Sequence, residues 1–261
     1  MTDLAIQNVA RLFNAADRLL FVTGAGVSAD SGLPTYRGVG GLYNRGDTED
    51  GVTIEQALSG PVLYRRPELT WKYLWQIGAA CSGAQPNAAH RIIAELESQK
   101  DEVWVLTQNV DGLHRAAGSK NLVEVHGDMF DLYCTDCGQE YTAAVLFSDY
   151  SVMPDLPPLC EKCRGVIRPA VVLFEEMLPR EAVEGLAHLA SVDFDVVVAV
   201  GTTAAFPYIR EPLVRALQRA RPIVEINPTR TAISADFDYR IELGAGEAME
   251  KIRHSMTRAA V

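Results

Sequence analysis

At 261 residues the chain is long enough for one large domain, or for one domain carrying an insert. An apolar fraction of 48% and a charged fraction of 22% fit a globular protein, and no stretch approaches the roughly 20 consecutive apolar residues of a membrane span. A formal charge of -10 argues against nucleic acid as a direct partner, because phosphate binding rests on Lys and Arg, and suits a basic partner such as a lysine-bearing protein segment.

Leu4, Val9, Leu12, Phe13, Ala16 and Leu19 recur at helical spacing. The first 20 residues therefore read as an amphipathic helix rather than a signal peptide, and the expected compartment is the reducing cytoplasm. Short Val/Ile/Leu-rich runs follow at 20–23, 103–107, 196–200 and 223–226, with helical stretches such as 88–100 and 212–219 between them. Near-continuous apolar strands alternating with helices predict a Rossmann-like α/β fold, a parallel sheet with helices on both faces. The first strand flows into Gly24-Ala25-Gly26-Val27-Ser28-Ala29, which fits the G-x-G-x-x-G/A phosphate-binding turn. An ordinary turn of this kind opens a helix. Here Ser31-Gly32-Leu33-Pro34-Thr35-Tyr36-Arg37 follows instead, broken by proline and carrying an aromatic ring and a cation.

Two regions interrupt the alternation. Residues 38–60, rich in glycine and acids, read as a loop leading into a small helical insert. Residues 128–165 hold Cys134-x-x-Cys137 and Cys160-x-x-Cys163, separated by a gap slightly longer than usual for zinc sites. Each pair keeps the geometry that clamps one ion. Four thiolates would fill a tetrahedral shell and leave no open position, so a structural zinc ion is expected. Two disulfides are the alternative, disfavoured in a reducing compartment. Cys81 reads as a small apolar side chain.

Polar residues gather where the predicted strands end. Gln108, Asn109 and Asp111 follow the 103–107 strand, and together can donate to and accept from a carboxamide such as that of nicotinamide. An isolated "NVDG" reads equally well as a capped turn. His126, after the strand-like "LVEV" and before Gly127, can face a cleft as a general base, although a lone histidine is more often structural. His90 reads as a capping or packing residue, His114 as a hydrogen-bonding neighbour of the site, and His188 and His254 as helix-surface residues. Gly201-Thr202-Thr203 and Asn227-Pro228-Thr229 close two further strands, where they could hold ribose and phosphate. The acid that should bind ribose about 20 residues after the glycines has no counterpart at a strand end, since Asp47, Glu49 and Asp50 lie in a polar loop. Asn227 is the substitute candidate.

Taken in order, "GAGVSADSGLPTYR", "TQNVDGLH", "VHG", the paired C-x-x-C motifs, "GTT" and "EINPT" resemble the sirtuins, the NAD-dependent protein-lysine deacylases of the Sir2 family. The resemblance runs from Leu19 to about Gly246 and implies one catalytic domain. Its NAD-binding part would comprise 1–37, 88–127 and 166–261, with a loop and helical insert at 38–87 and a zinc-binding insert at 128–165. It also implies that Gly24, Ala25, Gly26 and Ser28 line the phosphates, that Tyr36 and Arg37 in a movable lid cover the nicotinamide ribose, and that Gln108, Asn109 and Asp111 hold the nicotinamide. Gly201, Thr202, Thr203, Asn227, Pro228, Thr229 and Ala245 would complete the cofactor site. In the implied reaction an acyl-lysine oxygen attacks the anomeric carbon and nicotinamide leaves. His126 then takes a proton from a ribose hydroxyl that attacks the imidate, and water yields free lysine and O-acyl-ADP-ribose.

The segment "RPAVVLFEEMLP" resembles the one that pairs with substrate backbone, so Val172, Phe174 and Glu175 would contact the acyl-lysine peptide. Glu175 stands where the family commonly has glycine, and Thr203 stands for the commoner serine. Sirtuins preferring succinyl- or malonyl-lysine carry Tyr-x-x-Arg. The corresponding region offers Tyr73 and Gln76, which predicts acetyl or other neutral acyl groups. The competing readings are a mono-ADP-ribosyltransferase or NAD glycohydrolase on the same scaffold, and a silent NAD-binding module. A dehydrogenase fits poorly, for want of a second substrate domain and the ribose acid.

Overall fold

Leu19, Leu20, Phe21 and Val22 are all fully buried, a run with no helical period. A segment covered on both faces fits the centre of a parallel sheet, and the computed structural model, which describes residues 2–35, 48–147 and 150–258, places it there. β1 (Arg18–Thr23) pairs in parallel with β2 (Glu102–Thr107) on one side and β7 (Val196–Val200) on the other. β3 (Leu122–Glu124), β8 (Ile223–Ile226) and β9 (Tyr239–Ile241) extend the sheet to the order β3-β2-β1-β7-β8-β9. The chain works outward from β1 in one direction, then returns to β7 and works outward in the other. The crevice between the carboxyl ends of β1 and β7 is therefore the topological switch point, where open α/β sheets bind ligands.

Helices cover both faces, as expected. α1 (Thr2–Ala15), α5 (Ala88–Glu97) and α10 (Ala245–Arg258) bury Val9, Phe13, Ile93 and Ile252 against one face. α8 (Arg180–Ser191) and α9 (Pro207–Gln218) bury Leu189, Ile209 and Leu213 against the other. α6 (Leu113–Ala117) lies between β2 and β3 in the chain. Among the described residues no helix is long and apolar enough to cross a membrane.

Both inserts enter a smaller module. α2 (Ile54–Ala57), α3 (Gly60–Arg65) and α4 (Pro67–Cys81) come from the first. The second supplies β4 (Gly127–Cys134), β5 (Glu140–Thr142) and α7 (Ala143–Phe147). With β6 (Ile167–Val171) the strands form an antiparallel sheet of order β5-β4-β6. One core joins the inserts: Trp71 and Leu74 pack with Met129, Leu132 and Ile167, and Trp71 Nε1 donates to the Ile167 carbonyl at 2.8 Å. Trp75 lies against Phe147 and Tyr150, with ring centroids 5.3 and 4.7 Å away. The third tryptophan, Trp104 on β2, packs instead on His188, 4.6 Å away.

Several expected boundaries move. The first helix stops at Ala15 rather than near residue 20, because Leu19 belongs to the buried strand. The 88–100 helix ends at Glu97, and the helix expected at 212–219 starts five residues earlier, at Pro207, leaving Pro212 inside it. A boundary at residue 166 would cut the small sheet, since β6 pairs with β4 and not with the large sheet.

Candidate active site

The glycine turn leaves β1 and winds into a short 3-10 segment, Ala25–Ser31, rather than an α-helix. Its position is set by backbone contact with the loop after β7: Gly26 N–H donates to the Gly201 carbonyl at 2.9 Å. A Cβ on Gly26 would lie 2.6 Å from Gly201 Cα, and one on Gly201, whose φ is +58°, would lie 2.3 Å from Gly26 C. No side chain fits in either place, so the sequence must supply glycine on both sides of the switch point. Tyr36 and Arg37, the expected ribose contacts, and Gly38 lie outside the described residues.

Below the turn, a buried hydrogen-bond network joins two sequence motifs. Ser28 Oγ donates to Asp111 Oδ2 at 2.7 Å, and Asn109 Nδ2 donates to both Ser28 Oγ and Asp111 Oδ2 at 3.1 Å. The second Asp111 oxygen accepts from the Leu113 N–H at 3.0 Å. These bonds orient the Asn109 amide and leave its Oδ1 buried with no partner among the described residues. A buried acceptor without a donor costs about 1–3 kcal/mol, a cost that a donating ligand amide at this place would remove. Asn109 and Asp111 line a cavity with Ala25, Ser28, Pro34 and Cys81. That donor-and-acceptor set suits a carboxamide.

His90 and His114 lie behind this wall. His90 Nδ1 accepts from the Asn87 N–H at 3.3 Å in a capping box, as expected, so its Nε2 donates to Ser28 Oγ at 3.4 Å. His114 Nε2 bonds Thr23 Oγ1 at 3.1 Å, and the two imidazoles pack 4.7 Å apart. Burial pushes His90 down to about 4 and His114 well below its ordinary value, so both are neutral at pH 7. The reading of His90 from the sequence reached its cap but not its contact with Ser28, which joins residues 62 apart.

His126 sits at the end of β3, half-buried. Its Nδ1 lies 3.1 Å from the Gln108 carbonyl, an acceptor, so that nitrogen carries the proton and Nε2 keeps its lone pair. Burial lowers its pKa, partly offset by the Gln108 carbonyl. A neutral imidazole with a defined tautomer can act as a base. The adjoining Gly127 has φ +80°, and a Cβ there would lie 1.8 Å from the Ala170 carbonyl oxygen.

The other candidates follow the same rim of strand ends. Gln108 Nε2 donates to Thr202 Oγ1 at 2.9 Å, tying the end of β2 to that of β7. Thr202 is buried and Thr203 exposed. Beyond β8, Asn227 Oδ1 accepts from Thr229 N–H at 3.2 Å, so that side-chain oxygen shapes the turn through Pro228. Ala245 opens α10, where Gly246 N–H donates to Asp30 Oδ2 at 2.9 Å. The rim thus runs from Asn109 and His126 at one end to Asn227 and Ala245 at the other.

Across the cleft, the 172–176 segment is already partly paired. Val172 N–H donates to the His126 carbonyl at 2.9 Å; Phe174 N–H donates to Leu58 O, and Phe174 O accepts from Gly60 N–H. Glu175 is exposed and has φ +68°, which gives a physical reason for glycine at that place. Glu176 accepts from both terminal nitrogens of Arg168, at 2.6 and 2.9 Å. Of the acid pair, Glu175 alone remains available to a basic peptide. Tyr73 is buried, with its hydroxyl on Asp50, while Gln76 is exposed. Asp50 and Glu49 also hold Lys72, while Asp47 lies outside the described residues.

Cys134, Cys137, Cys160 and Cys163 come together with all four sulphurs within 4.8 Å of one another. Zinc–thiolate bonds of about 2.3 Å in a tetrahedron place sulphurs about 3.8 Å apart. The separations of 3.4 Å (Cys134 to Cys163) and 3.7 Å (Cys137 to Cys160) fit one ion with a closed shell. All four are free thiols, which removes the disulfide alternative.

Known proteins match this chain over most of its length. Residues 24–206 match the model of the Sir2 family. A protein of Pseudomonas syringae pv. tomato named NAD-dependent protein deacylase 2 is 52% identical over 91% of this chain and 94% of its own. A Sir2 homolog solved as an NAD complex superposes with a TM-score of 0.81 at 35% identity, covering 96% of this chain and 94% of its own. A Sir2 variant solved with a deacetylated p53 peptide and 3′-O-acetyl ADP ribose gives a TM-score of 0.84 at 26% identity, over 95% and 97%. The glycine turn, the Asn109–Asp111 wall, His126 and the four-thiolate cluster are thus set in a chain that belongs to the Sir2 family.

Proposed function

We propose that the chain is an NAD-dependent protein-lysine deacylase that releases nicotinamide and transfers the acyl group to ADP-ribose. The observation that carries this reading is the buried, unpartnered Oδ1 of Asn109 on the cavity wall. It would accept from the nicotinamide amide, while Ser28 and Asp111 keep it aimed into the cavity. NAD supplies the glycosidic bond that is broken. The acyl oxygen of the modified lysine takes the anomeric carbon as nicotinamide departs with the bonding electrons. Neutral His126 then accepts the proton of a ribose hydroxyl at Nε2, allowing that oxygen to capture the acyl carbon. Gly24, Ala25 and Gly26 would face the phosphates, with Gly201, Thr202, Thr203, Asn227, Pro228, Thr229 and Ala245 along the rest of the dinucleotide. Tyr36 and Arg37 would close over the ribose. The four cysteines would hold a structural zinc ion away from the chemistry.

The substrate is an acyl-lysine segment of a protein, lying against Val172, Phe174 and Glu175. Neutral acyl groups are favoured, because the Tyr73 hydroxyl already serves the Asp50 carboxylate and Gln76 brings no positive charge. A succinyl carboxylate would approach an acid with its donor spent. Mass spectrometry of the products from NAD and acetyl-, butyryl- and succinyl-lysine peptides tests both parts. O-acyl-ADP-ribose from the native chain and not from His126→Ala supports deacylation. Nicotinamide release without any peptide would favour the glycohydrolase or ADP-ribosyltransferase reading, and preference for succinyl-lysine would overturn the acyl assignment.

A further inference from the structure

The lone pair that His126 needs as a base is occupied. Because Nδ1 faces the Gln108 carbonyl, Nε2 can only accept, and Tyr208 Oη donates to it at 2.8 Å. The phenol hydroxyl stands where a ribose hydroxyl must stand to lose its proton. Phe206 and Tyr208 stack 5.5 Å apart and 11° from parallel, and Phe206 meets the His126 ring edge-on at 5.6 Å. No carboxylate or cation pairs with His126 among the described residues. What faces it is the Gln108 carbonyl after β2, the Val172 N–H after β6 on its backbone, and these two rings from the start of α9.

The turn carrying Tyr208 is suited to movement. Pro212, four residues on, has no N–H to offer the Tyr208 carbonyl, so this first turn of α9 lacks one helical bond. The loop leading to it holds Ala204 at φ +43°, a conformation that costs an alanine energy.

We propose that Tyr208 is a positioning residue that latches Nε2 of His126 in the resting protein and yields it when a ribose hydroxyl arrives. A donor to a neutral imidazole disfavours its protonation, so the latch keeps the base unprotonated while the site is empty and fixes the ring plane. This rests on the reading of His126 as the base. The two can fail separately, because the latch is read in the protein without substrate.

The test is an NMR titration of the His126 ring nitrogens in the native chain and in Tyr208→Phe, with and without ADP-ribose. Without ligand, Tyr208→Phe should raise the His126 midpoint by about 0.5–1 pH unit, the shift equivalent to one net hydrogen bond. With ADP-ribose the two proteins should converge. In kinetics with an acetyl-lysine peptide, the acid limb of kcat/KM should move up by the same amount while that of kcat stays in place. Phe206→Leu, which keeps the hydroxyl but removes the stack, should give a smaller shift in the same direction, and decides the matter if Tyr208→Phe does not fold. Equal midpoints without ligand in native and variant chains would overturn the latch, as would an offset that persists with ADP-ribose. Peptide-dependent deacylation could stand in either case.

Discussion

On the sheet side of the cleft, Gly26 touches Gly201 backbone to backbone, and Ser28, Asn109 and Asp111 bond one another. On the facing side, an exposed Glu175 sits at positive φ, and a short sheet from distant sequence closes on four thiolates. The first wall is built by strand ends in a fixed register. Its cost is buried polar groups and obligatory glycines. The second wall has a core shared between two inserts and four cysteines placed to hold one ion. The comparison teaches that the Asn109–Asp111 wall is held by the register of the large sheet, whereas the 172–176 segment borders the module that carries the four-cysteine cluster.

Removing the ion should separate the two most sharply. Structural zinc contributes about 10–16 kcal/mol of apparent binding energy in small domains. Chelation is therefore expected to open the amides of β4, β5 and β6 to deuterium while β1, β2 and β7 stay protected. Uniform loss of protection would mean that the walls fold as one unit. A smaller effect probes the sheet side. Gly201→Ala must relieve a 2.3 Å contact at a positive φ, which should cost on the order of 3 kcal/mol and appear as a lower urea midpoint at unchanged slope.

The buried His90 gives a pH dependence. Its folded-state pKa, about 4, lies below the ordinary 6.5, so the unfolded chain binds the proton more tightly. Stability is full above about pH 6.5 and falls as pH drops toward 4, by about 1–3 kcal/mol. Urea unfolding at pH 7 and 4.5 should show the gap between native and His90→Gln narrowing at the lower pH; a gap unchanged by pH would assign the acid loss to other groups, such as the buried His114 or the cysteine cluster. The smallest effect is on the substrate side: Glu175→Gly relieves the left-handed backbone and should raise stability by about 0.5–1 kcal/mol, read as a thermal midpoint. A lower midpoint would mean that the glutamate makes contacts outweighing its strain.

What the sequence disclosed was local. The glycine turn, the cysteine pairs and the Asn109–Asp111 row are short motifs whose spacing carries the chemistry, and each marks a strand end or a metal pair. What it hid was non-local pairing. β6 falls within the 166–261 stretch expected in the NAD-binding part, and only its antiparallel partner β4 assigns it to the small sheet. Tyr208 lies 82 residues from His126, and Asp50 lies 23 residues from Tyr73. Nothing in their own neighbourhoods announces either contact. The start of the helix at Pro207 is hidden for a related reason: Pro212 looks like a first-turn proline, yet the buried face of Ile209 and Leu213 carries the helix across it.

The placement of the three indoles gives the protein its own optical reporters. Trp71 and Trp75 lie in the smaller module among aromatic neighbours, and Trp104 lies on β2 against an imidazole. Intrinsic emission therefore reports chiefly on one half of the molecule. A chain in which both Trp71 and Trp75 are replaced by phenylalanine would turn the same signal to the other half, letting a spectrometer follow each half's melting in turn without any added dye.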